Sequence, residues 1–250
     1  MVVLVVAVLA VVFEAARRRG WRLAVLVAAA WTRARPTVVA YIRASPATFA
    51  YLAALSVTTW VLLSSSGQVV DLLLREHSTS LNQLIANPVK VLIRSAFWAP
   101  GYALLAWAIL FAVVLAPAER WLGTRRWVTV FAAGHVLATL GAALVLWLEI
   151  RYGWASPQLE DSIDVGVSYG FAAVAAIFTF RLPGAWRWYW AATLVAAALA
   201  ALLIGRTFTD VGHLLALGIG FACYPLTTGA AIRSRAAGPI WSSLPSRRMP

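Results

Sequence analysis

Long apolar stretches alternate with short polar segments along most of this chain. Six stretches cover residues 47–64, 97–117, 127–148, 165–180, 187–204 and 208–226. A bilayer core is about 30 Å thick and an α-helix rises about 1.5 Å per residue, so each stretch is close to the length of a membrane-spanning helix. The pattern therefore predicts an all-α, polytopic membrane protein with six spans.

Composition agrees with this pattern and excludes several other classes of protein. Apolar residues make up 62% of the 250 residues, charged residues only 12%, and the mean hydropathy is +0.80. The net charge of +12 comes from arginines that flank apolar stretches, which argues against a nucleic-acid partner and for the lipid bilayer. The single cysteine, Cys223, excludes an intramolecular disulfide, and we expect neither a metal nor a cofactor.

Basic residues are distributed unevenly between the two sets of alternate connecting segments. One set holds sixteen of the 21, while the other holds five together with seven of the nine acidic residues. Because basic residues collect in cytoplasmic segments, both termini are predicted to lie inside the cell. The cytoplasmic set is Arg17, Arg18, Arg19, Arg22, Arg33, Arg35, Arg43, Arg120, Arg125, Arg126, Arg181, Arg187, Arg233, Arg235, Arg247 and Arg248.

Three segments lie outside the six spans. Residues 1–46 combine two short apolar runs with arginines, and we predict a basic cytoplasmic and interfacial region, with an extra span as the alternative. Apolar residues scattered through 65–96 predict a segment against or within the outer leaflet, with a simple amphipathic loop as the alternative. Residues 227–250 are predicted to form a disordered cytoplasmic tail.

Polar side chains inside the spans mark candidate chemistry, because burying them in lipid is costly. Ser168 follows Asp164 by four residues, and His213 follows Asp210 by three. At about 1.5 Å per residue, both lie about 5–6 Å below those acids on the same side of the membrane. A histidine beside a serine can act as general base in acyl transfer, so the two form a candidate catalytic dyad. His135, nearer the middle of the membrane, is interpreted as structural.

Each candidate also has a simpler interpretation. Gly166 and Gly170 form a Gly-x-x-x-Gly pattern typical of helix packing, and a lone histidine such as His213 is commonly a buried group bonded to a neighbouring helix. Gly-x-Ser-x-Gly also marks the nucleophile of α/β-hydrolases, but that motif needs a preceding strand. Asp164 and Asp210 are predicted helix N-caps. Asp210 is also a candidate for orienting His213.

Four segments within residues 47–226 resemble, in order, segments of the rhomboid family. They are Asn87–Phe97 before span two, Glu119 to Gly123 after it, Gly166-Val167-Ser168 at the start of span four, and His213 followed by Gly220 in span six. The resemblance implies a six-helix rhomboid-like bundle over 47–226 that acts as an intramembrane serine endopeptidase. The chain resembles a divergent branch of the family in high-GC bacteria, as its twenty arginines against one lysine indicate.

The resemblance also implies roles for individual residues. Ser168 would be the nucleophile and His213 the general base, with Gly166 and Tyr169 supporting the oxyanion. The substrate would be a single-span membrane protein cleaved near its outer end, in the plasma membrane. Residues 65–96 would form the membrane-dipping first loop, and the aromatic-rich span five a movable wall where the substrate helix enters.

The chain departs from the family at several of these positions. Leu104 and Ala108 stand where rhomboid proteases carry a His-x-x-x-Asn pair that supplies oxyanion donors. Losing one such donor typically costs about 10²–10³ in rate, which leaves backbone amides near Ser168 as donors. Tyr169 replaces the glycine that usually follows the nucleophile. Ala172 stands where the family often has an aromatic that stacks on the base, and Tyr169 or Phe171 would take its place.

Two further functions stay open beside the serine endopeptidase. A catalytically inactive rhomboid-like protein would bind transmembrane helices as a chaperone or scaffold, and the loss of the span-two donors favours it. A small-solute transporter would show inverted repeats or helices broken at the midplane, and the sequence shows no such repeat.

Overall fold

The computed structural model describes residues 2–99, 103–162, 164 and 167–229. Within these residues the predicted all-helical structure is confirmed, and they contain no strand. The helices are α1 (Val2–Arg18), α2 (Arg22–Arg43), α3 (Pro46–Ser64), α4 (Gly67–Glu76), α5 (Leu81–Ala86), α6 (Pro88–Ser95), α7 (Leu104–Leu110), α8 (Ala116–Leu122), α9 (Thr124–Arg151), α10 (Ser168–Phe178), α11 (Trp186–Gly205) and α12 (Phe208–Ala222). A π-helical segment, Phe111–Leu115, joins α7 to α8, and 3₁₀ turns cover Pro157–Asp161, Thr179–Arg181 and Tyr224–Thr227.

The chain divides into two compact units at Ala44 and Ser45. The N-terminal unit contains α1 and α2, two helices that contact each other and are joined by a short turn, and together they are called the N-terminal hairpin. Gly20, in the turn between them, has a φ of +73°, a left-handed conformation that glycine adopts readily. The second unit contains α3 to α12 and holds every candidate catalytic residue that the structure describes.

Five helical segments are long and apolar enough to cross a bilayer: Arg22–Arg43, Pro46–Ser64, Leu104–Leu122, Thr124–Arg151 and Trp186–Gly205. The last four correspond to predicted spans one, two, three and five, although span two begins at Leu104 rather than at residue 97. Predicted spans four and six are shorter, with 11 residues in α10 and 15 in α12. Helix α10 can be short because protein rather than lipid surrounds it, and its residues 173–177 are completely buried.

Helix α10 lies in the core of the second unit and packs against both α9 and α12, which also pack against each other. Small residues allow this close packing. A Cβ atom at Gly134 of α9 would overlap the Ala173 side chain, and one at Gly220 of α12 would overlap the Ala173 carbonyl. Small residues at helix contacts are typical of membrane bundles, where close backbone approach supplies much of the attraction.

The segment from Glu119 to Gly123 connects α8 to α9 and holds both to the start of α3 through hydrogen bonds. The buried Glu119 carboxylate accepts hydrogen bonds from the backbone N–H groups of Ala47 (3.0 Å) and Thr48 (2.8 Å), and from the Thr124 hydroxyl (2.7 Å). It therefore caps the N-terminus of α3, whose own N-cap side chain makes no capping bond. Gly123, with a φ of +82°, ends α8 and allows α9 to start at the next residue.

Residues 65–96 fold into the three short helices α4, α5 and α6 rather than an irregular loop. Helix α6 buries Val91 and Ser95 and exposes Val89 and Ile93, as expected for a segment that lies against lipid. His135 of α9 donates from Nε2 to the Leu92 carbonyl at 2.9 Å, and so holds α6 against the bundle. This hydrogen bond agrees with the structural role predicted for His135.

Candidate active site

Ser168 is the first residue of α10 and is half-buried. The first backbone bond here runs from the Phe171 N–H to the Val167 carbonyl at 2.9 Å. The N–H groups of Ser168, Tyr169 and Gly170 therefore precede the helical ladder, and they have no acceptor within the described ranges. Free N–H groups at a helix start can stabilise a developing oxyanion. Gly166, the other predicted support residue, lies outside the described residues.

His213 stands in the second turn of α12, and the start of that helix differs from the prediction. The N-cap is Thr207 and not Asp210, because Thr207 has an extended backbone and its hydroxyl accepts from the Asp210 N–H at 3.3 Å. The Asp210 carboxylate in turn accepts from the Thr207 N–H (3.0 Å) and hydroxyl (2.7 Å). In the described chain no hydrogen bond joins Asp210 to His213, so its orienting role stays a prediction.

The aromatic ring that packs against His213 belongs to Tyr169. The two ring centroids lie 5.1 Å apart with the planes at 72°. Gly212 makes the room, because a Cβ atom there would overlap the Tyr169 phenol ring. Tyr169 is one of the two aromatics expected beside the histidine, although the contact is edge-to-face rather than stacked. Phe171 instead contacts Trp107 with ring centroids 5.6 Å apart.

Ser168 and His213 flank this contact between α10 and α12. Ser168 immediately precedes Tyr169, and His213 immediately follows Gly212. Both residues are half-buried, so neither side chain is sealed in the core. Among the described residues, no hydrogen bond links the Ser168 hydroxyl to a His213 nitrogen. The helices are thus adjacent at this level, and the dyad stays a prediction.

Asp164 is not the N-cap of α10 as predicted, because that position is occupied by Val167. Its buried carboxylate accepts from the Tyr169 hydroxyl at 3.0 Å and the Thr79 hydroxyl at 3.2 Å. Its backbone N–H donates to Ser78 Oγ at 2.8 Å, and its carbonyl accepts from the Thr79 N–H at 2.8 Å. Burial raises the pKa of the Asp164 carboxyl above its ordinary value. Asp164 therefore ties the 65–96 segment to the start of α10.

This link between Asp164 and the 65–96 segment was not predicted from the sequence. The only signal is the hydroxyl run Ser78 to Ser80, which interrupts an otherwise amphipathic segment. All three residues are buried, and buried hydroxyls need hydrogen-bond partners. A partner more than 80 positions away could not be identified from one sequence.

Leu104 and Ala108 occupy the span-two positions where rhomboid proteases carry hydrogen-bond donors. Leu104 begins α7 and Ala108 lies one turn later, both partly buried. Neither side chain can donate a hydrogen bond. The α-helical ladder then changes to the π-helical segment Phe111–Leu115, with Phe111 completely buried. Such π-helical segments are rare and are frequent at functional sites.

Comparison with known families agrees with this architecture. A family model described as rhomboid-like protein matches residues 40–233, which include both Ser168 and His213. The chain therefore belongs to the rhomboid-like protein family, and it is a multi-pass membrane protein. The family includes intramembrane serine proteases and also inactive members. No curated protein and no solved structure matches the chain.

Proposed function

We propose that this rhomboid-like protein is an intramembrane serine endopeptidase with Ser168 as nucleophile and His213 as general base. The observation that carries the proposal is the Tyr169–His213 contact, at 5.1 Å between ring centroids, made beside the first residue of α10. Serine, histidine and free helix-start N–H groups are the three components that acyl transfer requires. We further propose six spans with both termini cytoplasmic, in a bacterial plasma membrane.

The chemistry would follow the usual course for a serine and a histidine. The Ser168 oxygen attacks the scissile carbonyl carbon while His213 removes the hydroxyl proton. The oxyanion is stabilised by N–H groups of Ser168, Tyr169 and Gly170, since Leu104 and Ala108 have no donor. His213 then protonates the leaving amine, and water hydrolyses the acyl-enzyme.

A groove of about 410 Å³ lies between the π-helical segment and α11. Its lining is apolar and includes Val113, Phe178, Trp186 and Trp190. Phe178 is the last residue of α10, so the groove lies about 15 Å along that helix from Ser168. A substrate helix seated there would contact the π-helical segment and α11, since residues 173–177 of α10 are buried.

The alternative is a catalytically inactive protein that binds transmembrane helices. Two observations favour it: the absence of a Ser168–His213 hydrogen bond in the described residues, and the apolar Leu104 and Ala108. The same groove would then bind a client helix without cleaving it.

Co-reconstitution tests the two functions together. The full chain would be placed in liposomes with a collection of tagged single-span proteins, followed by mass spectrometry of fragments and by co-purification. We expect cleavage by the wild type and none by Ser168→Ala or His213→Ala. Ser162→Ala is the matched control and should cleave normally, because the described partners of Ser162, Ser78 and Leu159, bond to its backbone and none bonds to its hydroxyl.

Co-purification without cleavage, equal for wild type and Ser168→Ala, would establish the helix-binding alternative. Cleavage that persists in Ser168→Ala would contradict the assignment of the nucleophile. If a folded protein neither cleaves nor binds any member of the collection, both functions fail.

A further inference from the structure

The N-terminal unit carries a strong and largely unpaired positive charge. Residues 1–44 contain seven arginines and one acid, Glu14. Glu14 is already paired with Arg17 (2.6 Å) and Arg18 (2.8 Å). The arginines of α2, which include Arg33 and Arg35, are exposed and form no ion pair within the described part of the chain. This charge is available to an anionic partner outside the chain.

Helix α2 also presents an apolar stripe that the N-terminal unit does not cover. Its members follow at spacings of four and seven residues, which puts them on one side of the helix. Their exposed fractions range from 36% to 79%. The stripe consists of Leu23, Val27, Trp31, Val38 and Ile42.

Helix α2 is long enough to cross a bilayer, but the positions of its charges argue against crossing. Arg33 lies about 17 Å along the helix from Arg22, which is near the centre of a bilayer core about 30 Å thick. Arg35 follows one half-turn later, and neither has a carboxylate beside it. Charged side chains at that depth are costly and are normally paired. A helix parallel to the surface keeps both in contact with water and lipid headgroups.

A concave surface on the same helix fits an anionic headgroup. Arg35 and Arg43 stand two turns apart, about 12 Å along the helix, with Val39 and Ala40 between them. Together with Pro36 and Ala44 they line a depression of about 640 Å³. Guanidinium groups bind phosphate oxygens through several donors, while the apolar floor suits the glycerol and upper acyl region.

We propose that the N-terminal hairpin lies on the bilayer surface, inserts the α2 stripe shallowly and binds anionic phospholipid headgroups through its arginines. Charge complementarity selects this partner, since seven arginines face a membrane whose cytoplasmic surface is negatively charged. The hairpin thereby anchors the chain to anionic lipid. This property is independent of the proposed catalysis.

The test uses the full chain in nanodiscs of phosphatidylcholine with increasing phosphatidylglycerol. In a Cys223→Ser background, Trp31→Cys carries an environment-sensitive fluorophore, and lipids with quenchers at shallow or deep acyl positions report its depth. We expect shallow quenching that rises with the anionic fraction and falls at high salt. Arg35→Gln should weaken the binding of anionic lipid about fivefold, as expected for loss of one surface cation, and so shift half-maximal quenching to a higher fraction of phosphatidylglycerol.

Arg151→Gln, an equal charge change at the exposed end of α9, is the matched control and should leave the titration unchanged. Deep quenching in neutral and anionic discs alike would show that α2 crosses the bilayer and would overturn the proposal. Shallow quenching without any dependence on phosphatidylglycerol would overturn the headgroup assignment. Thermal unfolding of each labelled variant confirms that it is folded.

Discussion

The ring of Tyr169 packs against His213 at 5.1 Å while its hydroxyl donates to Asp164 at 3.0 Å. The Tyr169 side chain thus connects α12 to Asp164, the residue that holds the 65–96 segment. The position of His213 depends on this side chain, because Gly212 leaves room for the phenol ring and for little else. Changes at the α10–α12 contact should therefore disturb the candidate site before they disturb the rest of the bundle.

Gly212→Ala tests this contact directly. The added methyl would overlap the Tyr169 ring, so we expect a loss of about 1–3 kcal/mol in unfolding free energy from overpacking. Reactivity of Ser168 should fall together with stability, because Tyr169 must move. Thermal unfolding in detergent and serine-probe labelling measure the two effects.

Gly218→Ala is the matched control in the same helix. A Cβ atom there meets nothing within 4 Å, and alanine favours a helix by up to about 1 kcal/mol over glycine. It should therefore unfold at the wild-type temperature or above it. Equal destabilisation by both substitutions would contradict the close Gly212–Tyr169 contact.

Glu119 should prove essential for stability although it is remote from the candidate site. Glu119→Ala leaves the N–H groups of Ala47 and Thr48 without their acceptor, and we expect a loss of about 2–5 kcal/mol. The exposed carboxylate of Asp71, paired with Arg75 at 2.9 Å, provides the comparison. Asp71→Asn should cost only about 0–1 kcal/mol. Chemical unfolding in mixed micelles would measure both, and similar losses would exclude the capping role.

The buried carboxyl of Asp164 should make the stability of the folded protein depend on pH. Its folded-state pKa is raised by burial, so the folded protein favours the protonated carboxyl. This stabilisation is fully present below the unfolded pKa of about 4 and is lost as pH rises through the higher folded-state pKa. Unfolding temperature should therefore fall as pH rises through that window.

Asp164→Asn keeps an oxygen that can accept from Tyr169 and Thr79 but cannot ionise. Its unfolding temperature should vary less with pH than that of the wild type. An unchanged pH profile in this variant would show that another group causes the dependence.

The lengths of the apolar runs were sufficient to predict the all-helical membrane fold, but not its number of spans. Apolar runs identify α3, α9 and α11 within a few residues, because lipid requires long uninterrupted apolar helices. The same rule overestimates α10, which protein surrounds and which therefore needs no such length. The three helices within 65–96 were predicted only as an amphipathic segment.

The candidate site could be predicted only in part. The common depth of Ser168 and His213 follows from counting residues along two spans, and Tyr169 was one of two aromatics expected near the base. The N-cap predictions for Asp164 and Asp210 were wrong because acidic residues near a helix start serve several purposes. Asp210 is the third residue of a capping box, and Asp164 bonds to the distant Thr79. Long-range pairing of this kind leaves no periodic signal in a single chain.

Labelling with a fluorophosphonate tests the central claim most directly, since the reagent modifies only an activated serine. The folded wild-type protein in detergent would be compared with Ser168→Ala, His213→Ala and the control Ser162→Ala, and the modified peptide would be located by mass spectrometry. The serine endopeptidase account predicts one adduct at Ser168 that is lost in the first two variants and kept in the third. A folded wild-type protein without any adduct at Ser168 would contradict it.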